Sequence, residues 1–199
     1  MMLTHPMLVI SYALIRVLLL APLLVLTLLL GPLLPMNTYA QDQDDGLKAF
    51  SLKAAYIYSF SKFVEWPVNS FSNNKSPLVL CIINSHEPRD AWEIIDGKTT
   101  QGRQLSIQYL ESTDLLQPCH MLFIGNKPFQ SLKTILPQLA GRAVLTLGDH
   151  DAFTEEGGMI GLTVKNDRVF FSINLASSKQ AGLIISSRLI ALASQVVGG

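Results

Sequence analysis

Cys81, Cys119, His86, His120 and His150 are the side chains downstream of residue 41 best suited to metal or nucleophilic chemistry, and their spacing limits what they can do. The three histidines show no i, i+4 pairing and have no Cys-x-x-Cys companion, so the ligand pattern of a zinc site is missing. Asp149-His150-Asp151 has the residue types of an acid–base cluster. It follows Gly148 at the end of a predicted strand, where α/β proteins tend to bind ligands. The plainer reading of the same tripeptide is a polar turn with solvated charges. Glu155-Glu156, ahead of Gly157-Gly158, likewise reads as a solvated turn rather than a catalytic carboxylate pair. No G-x-G-x-x-G, Walker loop or G-x-S-x-G elbow occurs. The expectation is a protein with no catalytic residue, no metal and no cofactor. Should it bind a small molecule instead, the pocket is expected at the strand ends near Gly148 and Asp149.

A different chemistry is concentrated in Phe60-Ser61-Lys62-Phe63-Val64-Glu65-Trp66-Pro67, which sets three aromatics and two charges side by side. Protein interfaces anchor on aromatics inside a polar rim. Lys62, Phe63, Glu65 and Trp66 are therefore candidate partner-binding residues, with Met159 and Ile160 after Gly157-Gly158 as a second candidate stretch. Alternatively, Lys62 and Glu65 pair on a surface and Trp66 plugs the core.

The first forty residues point to the compartment. Arg16 is the one charged residue among the first forty, and no Asp or Glu appears before Asp42. Arg16 precedes an apolar run from Val17 to Leu30, and Thr38-Tyr39-Ala40 supplies small residues at the expected cleavage positions. This is the pattern of a secretory signal peptide over residues 1–40, cleaved after Ala40. The apolar run is shorter than the ~18–20 residues of a membrane span, and Pro22, Pro32 and Pro35 weaken a long helix. An even cysteine count in an oxidising compartment favours one disulfide, Cys81–Cys119, over two buried thiols. Closing that loop stabilises by about 4 kcal/mol in the chain-entropy model.

The chain has 199 residues, 49% hydrophobic and 15% charged, with fifteen Lys/Arg against fifteen Asp/Glu. That composition excludes disorder, and the zero net charge excludes the electrostatic footprint of a nucleic-acid binder. Gln41 to Gly46 reads as a mobile acidic start. Leu47, Phe50, Ala54, Ile57, Ser61 and Val64 recur at helix spacing, and this helix is expected to stop near Trp66, ahead of Pro67. The continuous apolar runs Leu78–Ile83, Met121–Ile124 and Ala143–Leu147 suit strands covered on both faces, while Leu105, Ile107 and Tyr109 alternate. Between them lie predicted helical stretches at 88–95, 112–116 and 128–136. Asn166-Asp167 reads as a hairpin turn, pairing Val164 with Val169, Leu162 with Phe171 and Ile160 with Ile173. Asn174 is expected to cap one closing helix, with Ile185, Leu189, Leu192 and Val196 as its inner stripe. The pattern predicts one α/β domain over residues 41–199, with a mostly parallel central sheet flanked by helices, a C-terminal β-hairpin and a closing helix.

At this level the chain resembles a known family. An export signal and the segment from Leu47-Lys48-Ala49 to Trp66-Pro67, with its F-x-K-F-x-E-W-P core, are similar to the N-terminal helix of YfiR-like periplasmic proteins. Leu147-Gly148-Asp149, Phe153 with Gly157-Gly158-Met159-Ile160, Phe171-Ser172-Ile173-Asn174-Leu175 and Ala181-Gly182-Leu183 through Ser186-Ser187-Arg188-Leu189 continue the likeness in order. The resemblance implies a regulator that represses an inner-membrane diguanylate cyclase by binding its periplasmic sensor domain, restraining cyclic-di-GMP synthesis and biofilm formation. It further implies an outer-membrane lipoprotein that sequesters the repressor, and homodimerisation. Cys81 and Cys119 look like one disulfide of the family. A second pair, found in some members near Leu145 and Ala152, has no counterpart here, so redox behaviour resting on it is not expected to carry over.

Overall fold

The computed structural model describes residues 38–83, 85–112, 118–126, 131–150 and 152–199, with side chains from Gly46 onward. Residues 1–37 of the expected signal peptide, 1–40, and most of the expected helical turn at 112–116 lie outside the described residues. The chain divides at residue 42, and apart from the first turns of the N-terminal helix all that follows concerns residues 43–199.

Its elements, in chain order, are α1 (Thr38–Phe60), β1 (Val64–Glu65), β2 (Leu78–Ile83), α2 (Arg89–Glu93), β3 (Thr99–Thr100), β4 (Arg103–Leu110), β5 (Met121–Ile124), α3 (Leu132–Ile135), β6 (Leu145–Gly148), β7 (Ile160–Lys165), β8 (Arg168–Asn174), α4 (Leu175–Gln180), β9 (Ile184–Ile185), α5 (Ser187–Ile190) and β10 (Gln195–Val197). The sheet is the mostly parallel one expected. Its eight strands run in the order β10-β8-β7-β6-β5-β2-β4-β3. β2, whose six residues are all buried, sits between β4 and β5 and is parallel to both, with Leu80 opposite Ile107 on one side and Met121 on the other. A strand covered on both faces needs such an uninterrupted apolar run. The chain steps from β2 outward to β4, then returns past β2 to β5 and continues outward to β6. The direction of winding reverses between β2 and β5, the place where open α/β sheets form a crevice at their carboxyl ends.

The hairpin has the expected register, Ile160↔Ile173, Leu162↔Phe171 and Val164↔Val169. Asn166 and Asp167 both adopt positive φ, 51° and 57°, as a type I′ turn requires. On one sheet face, Ala54, Ile57 and Phe60 of α1 pack with Trp92, Leu189, Phe123 and Ile173. On the other, Leu132, Ile135, Leu139 and Phe153 cover Cys81, Leu122 and Ile124. Each fully buried side chain of this size contributes about 2 kcal/mol. The Phe153 ring lies between two glycines: a Cβ on Gly148 or Gly158 would come within 2.2 or 2.1 Å of it.

Three local expectations are corrected. α1 begins at Thr38 rather than Leu47, so the acidic 41–46 stretch, expected to be a mobile start, is helical. No proline interrupts that stretch. At its other end α1 stops at Phe60, well before Trp66, because Val64 and Glu65 pair as a strand with Ile185 and Ile184. The single closing helix is replaced by α4, β9, α5 and β10. Asn174 does cap α4, its side chain accepting from the Ser177 N–H at 2.9 Å. Gly182, at φ +73°, then turns the chain into β9. Ile185 and Leu189 are buried as expected, but Leu192 and Val196 are exposed. The expected 128–136 helix is described from Leu132, and it tightens into a 3-10 turn over Leu136–Leu139.

Candidate functional site

β1 and β9 form a two-stranded ribbon separate from the large sheet. Successive residues of a strand face opposite sides. Val64 and Ile185 are buried, so Glu65 and its partner Ile184 point outward. Next along the chain, Val68 opens a 3-10 turn over Val68–Ser70 and is 95% exposed, while Ile184 is 62% exposed. Lys62 is also exposed, its Nζ 4.2 Å from the Tyr58 ring centroid. Phe63 and Trp66 are half-buried against the core. The Trp66 indole N–H donates to the His120 carbonyl at 3.2 Å. The side-chain amide of Gln101 donates to the carbonyls of Ser61 and Val64, both at 2.7 Å, and braces the turn between α1 and β1.

Lys62 and Glu65 are thus both exposed, while Phe63 and Trp66 pack against the core beneath them. Sequence reasoning missed Val68, Ile184 and Gln101. Val68 was legible as an apolar β-branched residue stranded in an Asn/Ser-rich loop. Ile184 was hidden inside a supposed helix.

Met159 and Ile160 lie elsewhere. Ile160 is fully buried and Met159 nearly so, its N–H donating to Thr146 Oγ1 at 3.0 Å. Met159 borders a surface groove of about 440 Å³ shared with Leu136, Leu139, Val144 and Ala181.

Cys81 and Cys119 are bonded, with Cα atoms 5.7 Å apart. The parallel pairing of β2 with β5, Cys81 opposite Leu122, carries Cys119 to its partner. Beside the bridge, His120 accepts the Val79 N–H on Nδ1 at 3.1 Å, and its Nε2 lies 3.0 Å from the Ser70 carbonyl. That geometry assigns the remaining proton to Nε2. Its ring stacks on Phe71 at 4.5 Å, and the Arg103 guanidinium covers the other side of Phe71 at 3.7 Å. Burial pushes the His120 imidazole below its ordinary range; the Ser70 contact opposes this and the Arg103 charge adds to it.

The strand ends near Gly148 and Asp149, where a pocket was expected, are lined as follows. Phe153 fills the space over Gly148. Asp149 does not join its neighbour His150, whose Nε2 lies 3.6 Å from Glu156 Oε2. Instead, Asp149 Oδ2 accepts from Lys53 Nζ at 2.6 Å, and Lys53 also donates to Glu87 Oε1. Glu87 Oε2 accepts from the Ser85 hydroxyl at 2.8 Å, while Asp149 Oδ1 is buried with no donor among the described residues. Burial alone would lower the Lys53 pKa, but the Glu87 and Asp149 carboxylates outweigh it and hold the ammonium above its ordinary value. Burial raises the Glu87 carboxyl, and Lys53 only partly offsets this. Lys53 was legible: it stands three residues after Phe50 and four before Ile57, on the inner stripe of α1. Glu87 carried no periodic signal. Among the described residues, no three His, Cys, Asp or Glu side chains converge as a metal site.

The chain folds as a mixed α/β domain with a mostly parallel central sheet and a separate two-stranded ribbon. The family model described as YfiR/HmsC-like matches residues 50–194, and the chain belongs to that family. The family is regulatory rather than catalytic, and it works in the periplasm on diguanylate cyclases. Among the described residues, no helix is long and apolar enough to cross a membrane. No protein of curated function matches the chain. Among solved structures, a conserved domain protein from Vibrio cholerae O1 biovar El Tor is similar at 10% identity and TM-score 0.42, covering 60% of this chain and 54% of that one. The ABC domain in complex with L-Trp from Streptococcus pneumonia is similar at 11% identity and TM-score 0.40, covering 65% and 58% respectively. The chain spans little more than half of either solved chain.

Proposed function

We propose that the protein is exported, loses its signal peptide after Ala40, and represses the periplasmic sensor domain of an inner-membrane diguanylate cyclase, limiting cyclic-di-GMP and biofilm formation. The contact is made by the outward face of the β1–β9 ribbon. One observation carries this: Ile184, exposed opposite Glu65 in the ribbon, and Val68, 95% exposed in the turn just after β1, both leave apolar side chains in solvent. Solvated apolar side chains on a braced support are the raw material of an interface core, and the flanking charges supply its rim. An outer-membrane lipoprotein that sequesters the repressor competes for the free protein. Self-association into a homodimer completes the scheme, and neither a nucleic acid nor a cofactor has a part in it.

The test uses Val68→Glu, which alters an exposed site and leaves the core untouched. Cyclic-di-GMP is measured in cells carrying the membrane cyclase, beside the melting temperature of the exported variant. Raised cyclic-di-GMP at unchanged melting temperature is the expected result. Full repression by Val68→Glu and by Ile184→Lys would remove the ribbon from the interface.

A further inference from the structure

The charges of the chain beyond Ala40 balance as a whole, fourteen Lys/Arg against fifteen Asp/Glu, but not around the ribbon. The segments built against it carry five of those cations and one of those anions. Lys62 lies in the turn after α1, and Glu65 in β1. Lys98 stands just ahead of β3, which is held to that turn by Ser61 Oγ, 2.9 Å from Thr100 Oγ1. Arg188 lies in α5 directly after β9, where the Ser186 N–H donates to the Phe63 carbonyl at 2.8 Å. Lys75 belongs to the loop that Val68 opens, and Arg103 donates to the Asn73 and Ser76 carbonyls of that loop at 2.8 and 2.7 Å. Lys62, Glu65, Lys75, Lys98 and Arg188 are exposed. Among the described residues, none of the five cations pairs with a carboxylate. Lys62 and Lys98 instead converge on one neutral ring, their Nζ atoms 4.2 and 5.5 Å from the Tyr58 centroid. The two ammoniums therefore lie within a Debye length of each other at 0.1 M salt, about 10 Å. Their repulsion stands in the free protein, and a carboxylate brought up to both of them would relieve it.

We infer that the partner docking at this end of the domain presents an acidic protein surface, with carboxylates set against Lys62 and Lys98. The inference rests on the ribbon being the contact and adds the charge of what it meets. Glu65, paired with Ile184 across the ribbon, separates a protein surface from a lipid one. A plane of anionic headgroups would repel it, whereas a folded partner can set a donor against Glu65 and keep acids beside it. Val68 and Ile184 are also two separate apolar side chains, far short of the apolar face with which an interfacial helix enters a bilayer. Complementary charge of this kind acts chiefly on the rate of encounter and on the choice of partner.

The test uses the full exported protein and right-side-out inner-membrane vesicles from cells producing the diguanylate cyclase, with cyclase-free vesicles as the blank. Association is followed for wild type and for the double variant Lys62→Gln/Lys98→Gln, which alters two exposed positions. Binding of wild type should slow about tenfold as salt rises from ~0.02 to ~0.15 M. At low salt the double variant should associate about tenfold more slowly than wild type, with a shallower salt dependence and an unchanged melting temperature. Equal association rates at low salt, or a wild-type rate independent of salt, overturn the inference. So does wild-type binding to phosphatidylglycerol vesicles that the double variant loses, since the ligand is then a membrane. Val68→Glu, run alongside, separates this inference from the ribbon reading. Loss of binding in Val68→Glu beside an unaffected lysine variant removes the acidic partner and leaves the ribbon. The reverse pattern leaves the acidic partner and moves the contact off the ribbon. Should the double variant fail to fold, Lys98→Gln alone and the salt dependence of wild type decide.

Discussion

Trp66 reaches across to the carbonyl of His120 with its indole N–H, at 3.2 Å, and so ties the ribbon to the strand that carries the disulfide. The same carbonyl accepts the Leu145 N–H at 2.9 Å, so it keeps a partner when the indole is removed. The aromatic at position 66 is therefore a brace.

Trp66→Phe keeps most of the apolar volume and deletes the hydrogen bond. It should cost about 1 kcal/mol, read by urea unfolding. Glu65→Ala, at an exposed position, should change stability by less than about 0.5 kcal/mol and still weaken repression. Met159→Ala is a poor probe of the interface, because Met159 is buried and its truncation should cost about 2–4 kcal/mol.

Reduction of Cys81–Cys119, or its replacement by two serines, should lower stability by about 4 kcal/mol, chiefly by freeing the unfolded chain. Thiol titration of denatured, unreduced protein should find no free thiol. Two reactive thiols per chain would show that the bridge does not form after export.

His120 is held neutral by burial, so its folded pKa lies below the unfolded value of about 6.5. Its contribution to stability is fully present above that unfolded value and is lost as pH falls through the folded one. Proton NMR of the His120 ring should show a midpoint below the ordinary imidazole value of about 6.5.

Lys53→Met should cost about 3–5 kcal/mol at pH 7, because it leaves Glu87 and Asp149 buried without a counter-charge. The loss should shrink at pH 5, where a carboxyl can take up a proton. Urea titrations at the two pH values check this, and an equal loss at both would contradict it. In wild type, the raised Lys53 pKa adds stability that persists up to about pH 10.4 and is lost as pH rises through the folded value.

What the sequence made legible follows from how local each signal is. The β7–β8 register could be read because Asn166-Asp167 fixes the turn and six apolar residues alternate around it. The buried strands could be read because a run such as Leu78–Ile83 has nowhere to go but a covered sheet. The end of α1 and the break in the closing helix could not, since both depend on Val64 and Glu65 meeting Ile185 and Ile184 from the far end of the chain. Helix periodicity alone carries no information about such a partner. The strand-end cluster was half legible: Asp149 stood out, Lys53 sat on an apolar stripe where a charge needs a partner, and Glu87 was revealed only by topology.

The ribbon joins residues near the two ends of the exported chain, with most of the sheet made between them. A contact of such high sequence separation is costly to close before the intervening structure exists, and it belongs to the slow end of folding. A chain that has not yet delivered Ile184 and Ile185 can assemble the parallel centre but cannot display the face that carries Val68. On the proposed contact, recognition competence becomes a late event, reached only by molecules whose C-terminal segment has docked. Fragments clipped before Leu183 would fold in part and present no competing surface.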